Sequence, residues 1–461
     1  MSTTTQARAR IDALLDANSF VEIGALVTAR ATDFNLKQTD TPSDGVVTGY
    51  GVIGGRLVYV YSQDSSVLNG SVGEMHAKKI AGIYDLAMKT GAPVIGLLDS
   101  AGLRLEEATD ALNGFGEIYL KQVKASGVIP QITAVFGNCG GGLAIIPAIT
   151  DFTFMESSKA KLFVNAPNAL DGNTTAKCDT AAADFQAKET GMVDVACDEA
   201  TIYEEIRNLV DMLPANNAEL AVTDCEDDLN RTTDNIDNAD IATAIAMIAD
   251  NGIVFETKRD YAKGMTTAFI RLNGATVGVV ANSCDENVIC DKCAEKAADF
   301  VNFCDAFEIP VLSITNVGGY KADILTEKKI AASVGKLVYA FANATVPKVN
   351  LITGKAYGSA YVAMNSKAIG ADITIAWPNS KIGSMDAKSA ALIIANNGNY
   401  TDVEKATADY EALQNNVMSA ARRGYVDQIV DPASTRKYII GAFDMLSSKA
   451  EDSPAKKHGT V

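Results

Sequence analysis

The sequence predicts an α/β fold built from two copies of one domain. Its central stretch runs from Thr133 to Asp151, where a β-branched run meets three glycines and then an apolar segment with helical spacing. Strand, glycine turn and helix in this order are typical of a sheet covered by helices. A second such stretch follows Val346, and a register that holds across several elements indicates internal duplication. An offset of 217 residues pairs Pro93 with Pro310, Asp99 with Asn316, Gly137 with Gly354 and Gly141 with Gly358.

The composition bounds the class of protein. With 461 residues, 48% of them hydrophobic, the chain is long enough for two cores of roughly 200 residues each. A formal net charge of −17 argues against nucleic acid or an anionic membrane as the main partner. No apolar run approaches the roughly 18 residues of a membrane span, and the first ten residues are too polar for a signal peptide. We therefore expect a cytoplasmic protein, with no nucleic-acid partner.

The domain boundaries follow from a change in composition. Residues 214–240 are acidic and polar, which is typical of a linker. We expect domains at 1–223 and 241–461, with 214–240 as the acidic linker between the copies.

Hydrophobic periodicity predicts the elements of each copy. In the first copy we expect a helix at Ala9–Leu15, a hairpin turning at Gly54–Gly55, a helix at Glu74–Lys89, a buried strand at Ala92–Leu98, and helices at Leu112–Lys124 and Thr201–Leu213. In the second copy we expect a hairpin at Thr267–Asn282, a helix at Cys293–Phe307, a buried strand at Pro310–Thr315, and a helix at Lys328–Ala342. A long helix at Thr407–Arg423, a strand at Gly424–Pro432 and a closing helix at Thr435–Lys449 follow.

The glycine turn at Gly140, Gly141 and Gly142 is the first candidate site. Backbone N–H groups at the start of the following helix lack partners within it, so they can stabilise an oxyanion that glycine allows to come close. The alternative is a tight strand-to-helix turn that binds nothing. The repeat of the turn favours the functional interpretation.

The loop after the first buried strand, DSAGLRLEE from Asp99, is the second candidate, because ligands of open α/β sheets collect beyond the carboxyl ends of strands. Ala101–Gly102 offers close backbone approach. Arg104 either meets a phosphate or caps the loop. Glu106 and Glu107 are either a general base or acids favoured by the dipole of the next helix.

Cysteine and histidine give little evidence of other chemistry. Cys290 and Cys293 form a CxxC, but no second CxxC or histidine lies at zinc spacing, so we expect no metal. Their charged neighbours predict one helical turn of solvated and half-buried positions. The chain has two histidines, and a Ser/His/Asp triad would have only His76 to use, which argues against nucleophilic chemistry of that kind.

Several segments together resemble the carboxyltransferase subunits of biotin-dependent acyl-CoA carboxylases, of the propionyl-CoA carboxylase β-subunit type, and the related α-subunits of sodium-pumping methylmalonyl-CoA decarboxylases. They span about Arg10 to Pro432. They are DGVVTGYG from Asp44, GRLVYVYSQD from Gly55, GAPVIGLLDSAGLRLEE from Gly91, ASGVIPQI from Ala125, AITDFTFM from Ala148, FVNFCDAFEIPVL from Phe300, LVYAFANATVPKV from Leu337, KAYGSAYVAMNSK from Lys355 and AWP from Ala376.

This resemblance implies two tandem crotonase-like (ClpP/crotonase) domains, with the active site between the first domain of one subunit and the second domain of its partner. It implies a first oxyanion hole for the acyl-CoA thioester at Gly141 and Gly142. A second hole, for the ureido oxygen of biotin, falls on Ser359 and Ala360, next to Gly358. The implied substrate-binding positions are Ala101, Gly102, Gly140, Tyr357, Val362, Gly318 and Gly319.

The implied reaction moves a carboxyl group between carrier-bound (carboxy)biotin and the α-carbon of a short acyl-CoA, acetyl- or propionyl-CoA to malonyl- or methylmalonyl-CoA or the reverse. Biotin comes on a separate carrier protein, since no biotinyl domain is present. The other implied partners are a biotin carboxylase subunit or membrane decarboxylase subunits, which would place the protein beside a membrane complex. The resemblance also implies a homo-oligomer, a hexamer.

Three departures from the family pattern affect the second site. Ser359 stands where a glycine is usual, Val362 where propionyl-CoA enzymes commonly have aspartate, and NVGGY from Asn316 where the family has a proline-containing loop. A crotonase-type hydratase or isomerase with Glu106 or Glu107 as base, and a scaffold without activity, are the alternatives.

Overall fold

The computed structural model describes residues 5–30, 40–282, 287–396 and 402–451. The chain divides into two compact units, Met1–Glu219 and Leu220–Val461. Residues from Leu220 onward, which include most of the predicted linker, are part of the second unit. Val222 bridges to Ala275 there, and Ile236 lies in the second core.

The first unit contains a mixed sheet in the order β1-β2-β3-β4-β5-β6-β8, with β7 paired to β5. Strands β1 to β3 are antiparallel, and the pairs from β3 onward are parallel. The strands are β1 Val21–Ile23, β2 Val46–Ile53, β3 Arg56–Gln63, β4 Val94–Ser100, β5 Gln131–Gly140, β6 Phe152–Glu156, β7 Lys161–Phe163 and β8 Val195–Cys197. The helices are α1 Gln6–Leu14, α2 Glu74–Thr90, α3 Ala108–Ala125, α4 Ile145–Ile149, α5 Ala183–Phe185 and α6 Glu199–Met212.

The second unit repeats this order, as β9-β10-β11-β13-β15-β16-β18 with β17 paired to β15. Strands β12 and β14 form a short parallel pair beside it. The strands are β9 Val254–Thr257, β10 Met265–Leu272, β11 Ala275–Asn282, β12 Val288–Ile289, β13 Val311–Val317, β14 Gly319–Tyr320, β15 Lys348–Tyr357, β16 Ile373–Ala376, β17 Lys381–Gly383 and β18 Gln428–Ile429. The helices are α7 Ile241–Ile248, α8 Asp291–Ala306, α9 Ile324–Glu327, α10 Ile330–Asn343, α11 Gly358–Ala363, α12 Ala387–Asn396, α13 Val403–Tyr410, α14 Val417–Arg422 and α15 Thr435–Leu446.

Each unit has its own hydrophobic core, because the strands of each sheet are apolar on both faces and helices cover them. In the first unit, helix α2 packs through Ile80, Ile83 and Tyr84. In the second, Trp377 is 7% exposed within the core, and its indole Nε1 donates to Thr435 Oγ1 at 3.0 Å. The α/β prediction is confirmed, with two mixed sheets.

One predicted element is wrong. The long helix expected at Thr407–Arg423 is interrupted, because Asn416 adopts an extended conformation (φ −71°, ψ 135°) and caps α14 by accepting the Met418 N–H. The preceding residue, Asn415, is buried and donates to the Met385 carbonyl at 2.9 Å. The periodicity of the segment is helical throughout, so the break comes from these polar contacts.

Candidate active site

The two glycine turns lie at the carboxyl ends of equivalent strands. Strand β5 leads into a 3-10 turn that begins at Gly141, and β15 leads into α11, which begins at Gly358. Both glycines adopt left-handed backbone conformations, with φ of 62° and 61°. A side chain would strain either turn. The first N–H groups of such a turn have no acceptor within it, so both turns present donors at the sheet edge.

A strand-end loop accompanies each turn. In the first unit a Cβ placed on Gly102 would lie 3.5 Å from the Gly140 carbonyl oxygen, so the predicted loop and turn come together. Ala101 N–H donates to Asn69 O at 3.0 Å, and Gly102 N–H donates to Ser100 Oγ at 3.1 Å. In the second unit Gly318 N–H donates to Asn287 O at 2.6 Å. These hydrogen bonds fix the loops beside the glycine turns.

In each unit, one polar side chain at the end of a strand packs against a glycine of the neighbouring strand, just before the glycine turn. A Cβ on Gly137 would lie 2.0 Å from Asp99 Oδ1, and a Cβ on Gly354 would lie 2.6 Å from Asn316 Oδ1. A side chain at either position would therefore force the neighbouring carboxylate or amide to move. The 217-residue offset between these pairs reflects the same contact made twice.

Arg104 lies in a buried ionic cluster. Its side chain is 1% exposed, and its Nη1 lies 2.6 Å from Asp44 Oδ1 and 2.8 Å from Glu107 Oε1. Nη2 donates to the Ser71 carbonyl at 2.7 Å. Burial raises the pKa of Asp44, and the neighbouring guanidinium opposes that rise. Of the two predicted roles, the phosphate contact is wrong, because the guanidinium is buried and its contacts given above are all to protein atoms.

Glu107 is part of the same cluster and does not face a ligand. It is 4% exposed and accepts the Glu74 N–H at the start of α2 at 2.6 Å. Its predicted role as a general base is therefore wrong. Glu106 is exposed in the turn before α3, where the interpretation as an acid near a helix start applies.

His76 is fully buried beside this cluster. Its Nδ1 lies 2.9 Å from the Asp44 carbonyl oxygen, and its Nε2 lies 3.2 Å from Gln63 Nε2. Because a carbonyl oxygen only accepts, Nδ1 carries the proton and Nε2 accepts from Gln63. Burial, reinforced by the charge of Arg104, lowers the pKa of His76 to about 3. A buried neutral imidazole held in this way orders α2 and is not placed for nucleophilic catalysis.

Two cavities flank the second turn. One, of about 340 Å³, is lined by Gly358, Val362, Arg423 and the rings of Tyr361, Tyr410 and Tyr425. The other, of about 540 Å³, includes Asn316, Lys355, Tyr357 and Lys381. Ser359 is exposed at the turn, Ala360 is 1% exposed, and Val362 is 36% exposed. The predicted residues of the second site thus share one edge of the sheet, although Tyr357 lines a different cavity from Val362.

The Cys290–Cys293 pair forms a disulfide, and Cys293 is 1% exposed. The expected helical turn of solvated and half-buried positions is found at the start of α8, where Lys292 is exposed and Asp291 half-buried, but Cys293 and Lys296 are buried. The CxxC spacing was the available signal, but neither the oxidation of the pair nor its place after β12, which pairs with Gly319–Tyr320, could be deduced from composition.

The two sheets have the same strand order, and in each a strand near the middle of the sheet ends in a glycine turn. The chain matches the carboxyl transferase domain model over residues 3–461 and belongs to that family. It is a biotin-dependent acyl-CoA carboxyltransferase, as the sequence predicts.

Curated relatives cover nearly the whole chain. The propionyl-CoA carboxylase beta chain of Roseobacter denitrificans is 42% identical over 478 residues, which are 99% of this chain and 93% of the relative. The methylmalonyl-CoA decarboxylase subunit alpha of Propionigenium modestum is 41% identical over 482 residues, 99% of this chain and 92% of the relative. Transcarboxylase 12S, solved as a hexamer with hydrolysed methylmalonyl-coenzyme A bound, superposes with a TM-score of 0.94 at 37% identity, covering 98% of this chain and 92% of that one.

Among the described residues, no helix is long and apolar enough to cross a lipid bilayer.

Proposed function

We propose that the chain transfers a carboxyl group between biotin on a separate carrier protein and the α-carbon of a short-chain acyl-CoA, acetyl- or propionyl-CoA, in either direction. The observation that carries the proposal is the repetition of one glycine turn at the carboxyl edge of both sheets. Carboxyl transfer develops negative charge on two oxygens, one on the thioester and one on the ureido group. Two sets of backbone donors match these two charges.

In the first unit, the proposed role of Gly141 and Gly142 is to hold the thioester oxygen while the α-carbon carries enolate character. Gly142 is exposed, and its carbonyl accepts from the Tyr119 hydroxyl, which fixes the turn. Ala101, Gly102 and Gly140 form the adjoining wall. A preorganised backbone donor of this kind lowers the barrier by roughly 3 kcal/mol.

In the second unit, the proposed role of Ser359 and Ala360 is to donate to the ureido oxygen of biotin. When bound, biotin supplies the ureido nitrogen that carries the carboxyl group. The aromatic cavity beside Gly358 suits a compact bicyclic ring with a planar ureido group, since three tyrosine rings and Val362 supply apolar walls. Gly318 and Gly319 belong to the loop that follows β13 at this edge.

The matching sheets support two tandem crotonase-like domains that arose by duplication. The partners in this proposal are a biotin carrier protein and a biotin carboxylase subunit. The transcarboxylase 12S neighbour is a hexamer, which supports a hexamer of this chain as well.

The direction of transfer has a second candidate. The methylmalonyl-CoA decarboxylase alpha subunit of Propionigenium modestum is only one percentage point less identical than the Roseobacter carboxylase chain. In that case the chain decarboxylates its acyl-CoA and the partners are membrane decarboxylase subunits.

The test is CO2 release from malonyl-CoA and methylmalonyl-CoA, each with and without free biotin. Biotin-dependent release is expected from at least one substrate. If neither substrate releases CO2 while acyl-CoA still binds, the proposed transfer is contradicted.

Gly142→Pro tests the first set of donors, because proline removes the N–H. We expect the biotin-dependent rate to fall by about 100-fold or more. Gly142→Ala is the matched control, since it keeps the N–H and its Cβ would lie 3.1 Å from the Tyr119 hydroxyl, whose ring can shift slightly. A proline variant as active as the alanine variant would show that this N–H is not used.

A further inference from the structure

The Cys290–Cys293 disulfide lies against the loop that carries Gly318 and Gly319. Strand β12, Val288–Ile289, ends directly before Cys290 and pairs in parallel with β14, Gly319–Tyr320. Lys321 N–H donates to Ile289 O at 2.9 Å, and Gly318 N–H donates to Asn287 O at 2.6 Å. The disulfide therefore constrains the residue that directly follows β12, and β12 pairs with the loop at the proposed biotin-binding edge.

In the first unit, the position that corresponds to the disulfide lies against the buried ionic cluster of Arg104. At the 217-residue offset, Cys290 corresponds to Gly73 and Cys293 to His76. A Cβ on Gly73 would lie 2.4 Å from Arg104 Nη1, so the guanidinium excludes any side chain there. The residue equivalent to Arg104 is Lys321, which is exposed. The second unit thus has room for a side chain at 290, and a covalent bond occupies the place of the ionic cluster.

The pair is also placed for thiol chemistry. Cys290 is half-buried, caps the 16-residue helix α8, and lines a cavity of about 630 Å³ with Lys292 and Lys321. Cys293 N–H lies 3.0 Å from Cys290 Sγ. A helix N-terminus and nearby ammonium groups favour a thiolate, although Asp291 and Asp323 line the same cavity and oppose it. One sulfur is within reach of a small reagent, and the other is buried behind it.

We propose that Cys290 and Cys293 are a reversible redox site that controls the biotin half of the reaction, a proposal that rests on the function proposed above. The co-reactant is a low-molecular-weight disulfide. The Cys290 thiolate attacks one of its sulfurs, forms a mixed disulfide and releases one thiolate. The Cys293 thiolate then attacks the Cys290 sulfur, closes the internal disulfide and releases the second thiolate. Two protons and two electrons leave the protein, and the reagent is reduced to two thiols.

The structure describes the oxidised form, in which β12 and β14 are paired. Reduction removes the constraint on the residue that follows β12, so β12 and the Gly318–Gly319 segment paired with it are less firmly positioned. The first unit has no part in this change, and acyl-CoA binding there should stay constant.

The first arm of the test uses the full chain equilibrated with oxidised or reduced glutathione, then alkylated with iodoacetamide and analysed by peptide mass. The peptide with Cys290 and Cys293 should carry no label after oxidation and two labels after reduction. Two labels after both treatments would overturn the proposal.

The second arm measures the KM for free biotin in the CO2-release assay, and the Kd for acyl-CoA. Reduction should raise the KM for biotin by about fivefold or more, which is a typical size for coupling between sites, with the Kd unchanged. Cys290→Ser should show the reduced-state KM under both conditions, because serine keeps the helix cap but forms no disulfide. Cys178→Ser, which alters an exposed free cysteine, should respond like the wild type.

Equal KM values for biotin in the two forms would overturn the proposed control. If neither form releases CO2, the proposed function fails. The labelling arm still decides whether Cys290 and Cys293 undergo thiol–disulfide exchange with glutathione.

Discussion

The loops that follow β4 and β13 have the same backbone path but are held by different side chains. In the first unit Arg104 N–H donates to Val72 O at 2.9 Å, and in the second Lys321 N–H donates to Ile289 O at the same distance. Around this shared ladder, the first unit packs a buried ionic cluster and the second a disulfide. The backbone pairing sets the geometry, and the side chains that stabilise it are interchangeable.

A buried lysine is common to both units. Lys79 Nζ donates to the carbonyls of Ser43 and Val46, and Lys296 Nζ donates to those of Lys258 and Tyr261. Each lysine ties the helix to the loop before the hairpin, because three ammonium hydrogens can satisfy several carbonyl oxygens at once. The two units therefore share this lysine contact, whereas the contacts one turn earlier on the helix differ between them.

The largest expected effect comes from Arg104→Met, which leaves the Asp44 and Glu107 carboxylates buried without their cation. We expect a loss of about 3–5 kcal/mol in the stability of the first unit. Hydrogen exchange over residues 69–107 measures it, since local opening should accelerate exchange in β4 and the loop.

The matched variant in the second unit is Lys321→Met. Because Lys321 is exposed, its replacement should change exchange over residues 287–321 by no more than about 0.5 kcal/mol. Equal losses in the two units would mean that the ionic cluster does not distinguish them.

The second prediction concerns pH. The pKa of His76 is about 3 in the folded chain, while an unfolded histidine takes up a proton near pH 6.5. Below pH 6.5 the unfolded state binds a proton that the folded state does not. The contribution of His76 to stability is therefore full above pH 6.5 and falls by about 1.4 kcal/mol per pH unit towards pH 3.

The comparison of wild type with His76→Asn isolates this contribution in urea titrations between pH 7 and pH 5. The comparison is needed because burial raises the pKa of Asp151 to about 7, and its protonation acts in the opposite direction. In the variant, the free energy of unfolding should fall less steeply as the pH is lowered, because the histidine contribution is absent. An unchanged slope would show that His76 takes up a proton in the folded chain.

The smallest expected effect separates the two glycine turns. Gly141→Ala and Gly358→Ala both place a Cβ at positive φ, which costs about 1 kcal/mol. A Cβ on Gly141 meets no atom within 4 Å, whereas one on Gly358 would lie 3.2 Å from the Ser384 carbonyl. Thermal denaturation should therefore show the larger loss for Gly358→Ala. The reverse order would mean that the second turn relaxes more easily than its packing indicates.

Local patterns predicted most of the elements. The helix expected at Glu74–Lys89 is found at Glu74–Thr90, and the hairpin at Gly54–Gly55 joins β2 and β3. The offset between the copies located both turns. Glycine recurs at 137 and 354 because a side chain, Asp99 in the first unit and Asn316 in the second, packs closely against each position. The site residues in these turns remain predictions about binding.

What the sequence did not predict depends on long-range contacts. Asp44 and Arg104 are 60 positions apart, and no local spacing shows that they form a buried pair. The break at Asn416 arises from capping within a segment whose periodicity is helical throughout. Whether Cys290 and Cys293 act as thiols or as a bond depends on what the rest of the chain packs against them.

The chain has a single tryptophan, Trp377, and it lies in the core of the second unit. Its emission spectrum is therefore a selective optical reporter. A red shift on denaturation marks the wetting of the second core, while the first unit can open without any change in tryptophan fluorescence. A fluorescence melting curve and a circular dichroism curve of this protein thus follow different parts of one polypeptide, and any difference between them measures how independently its halves unfold.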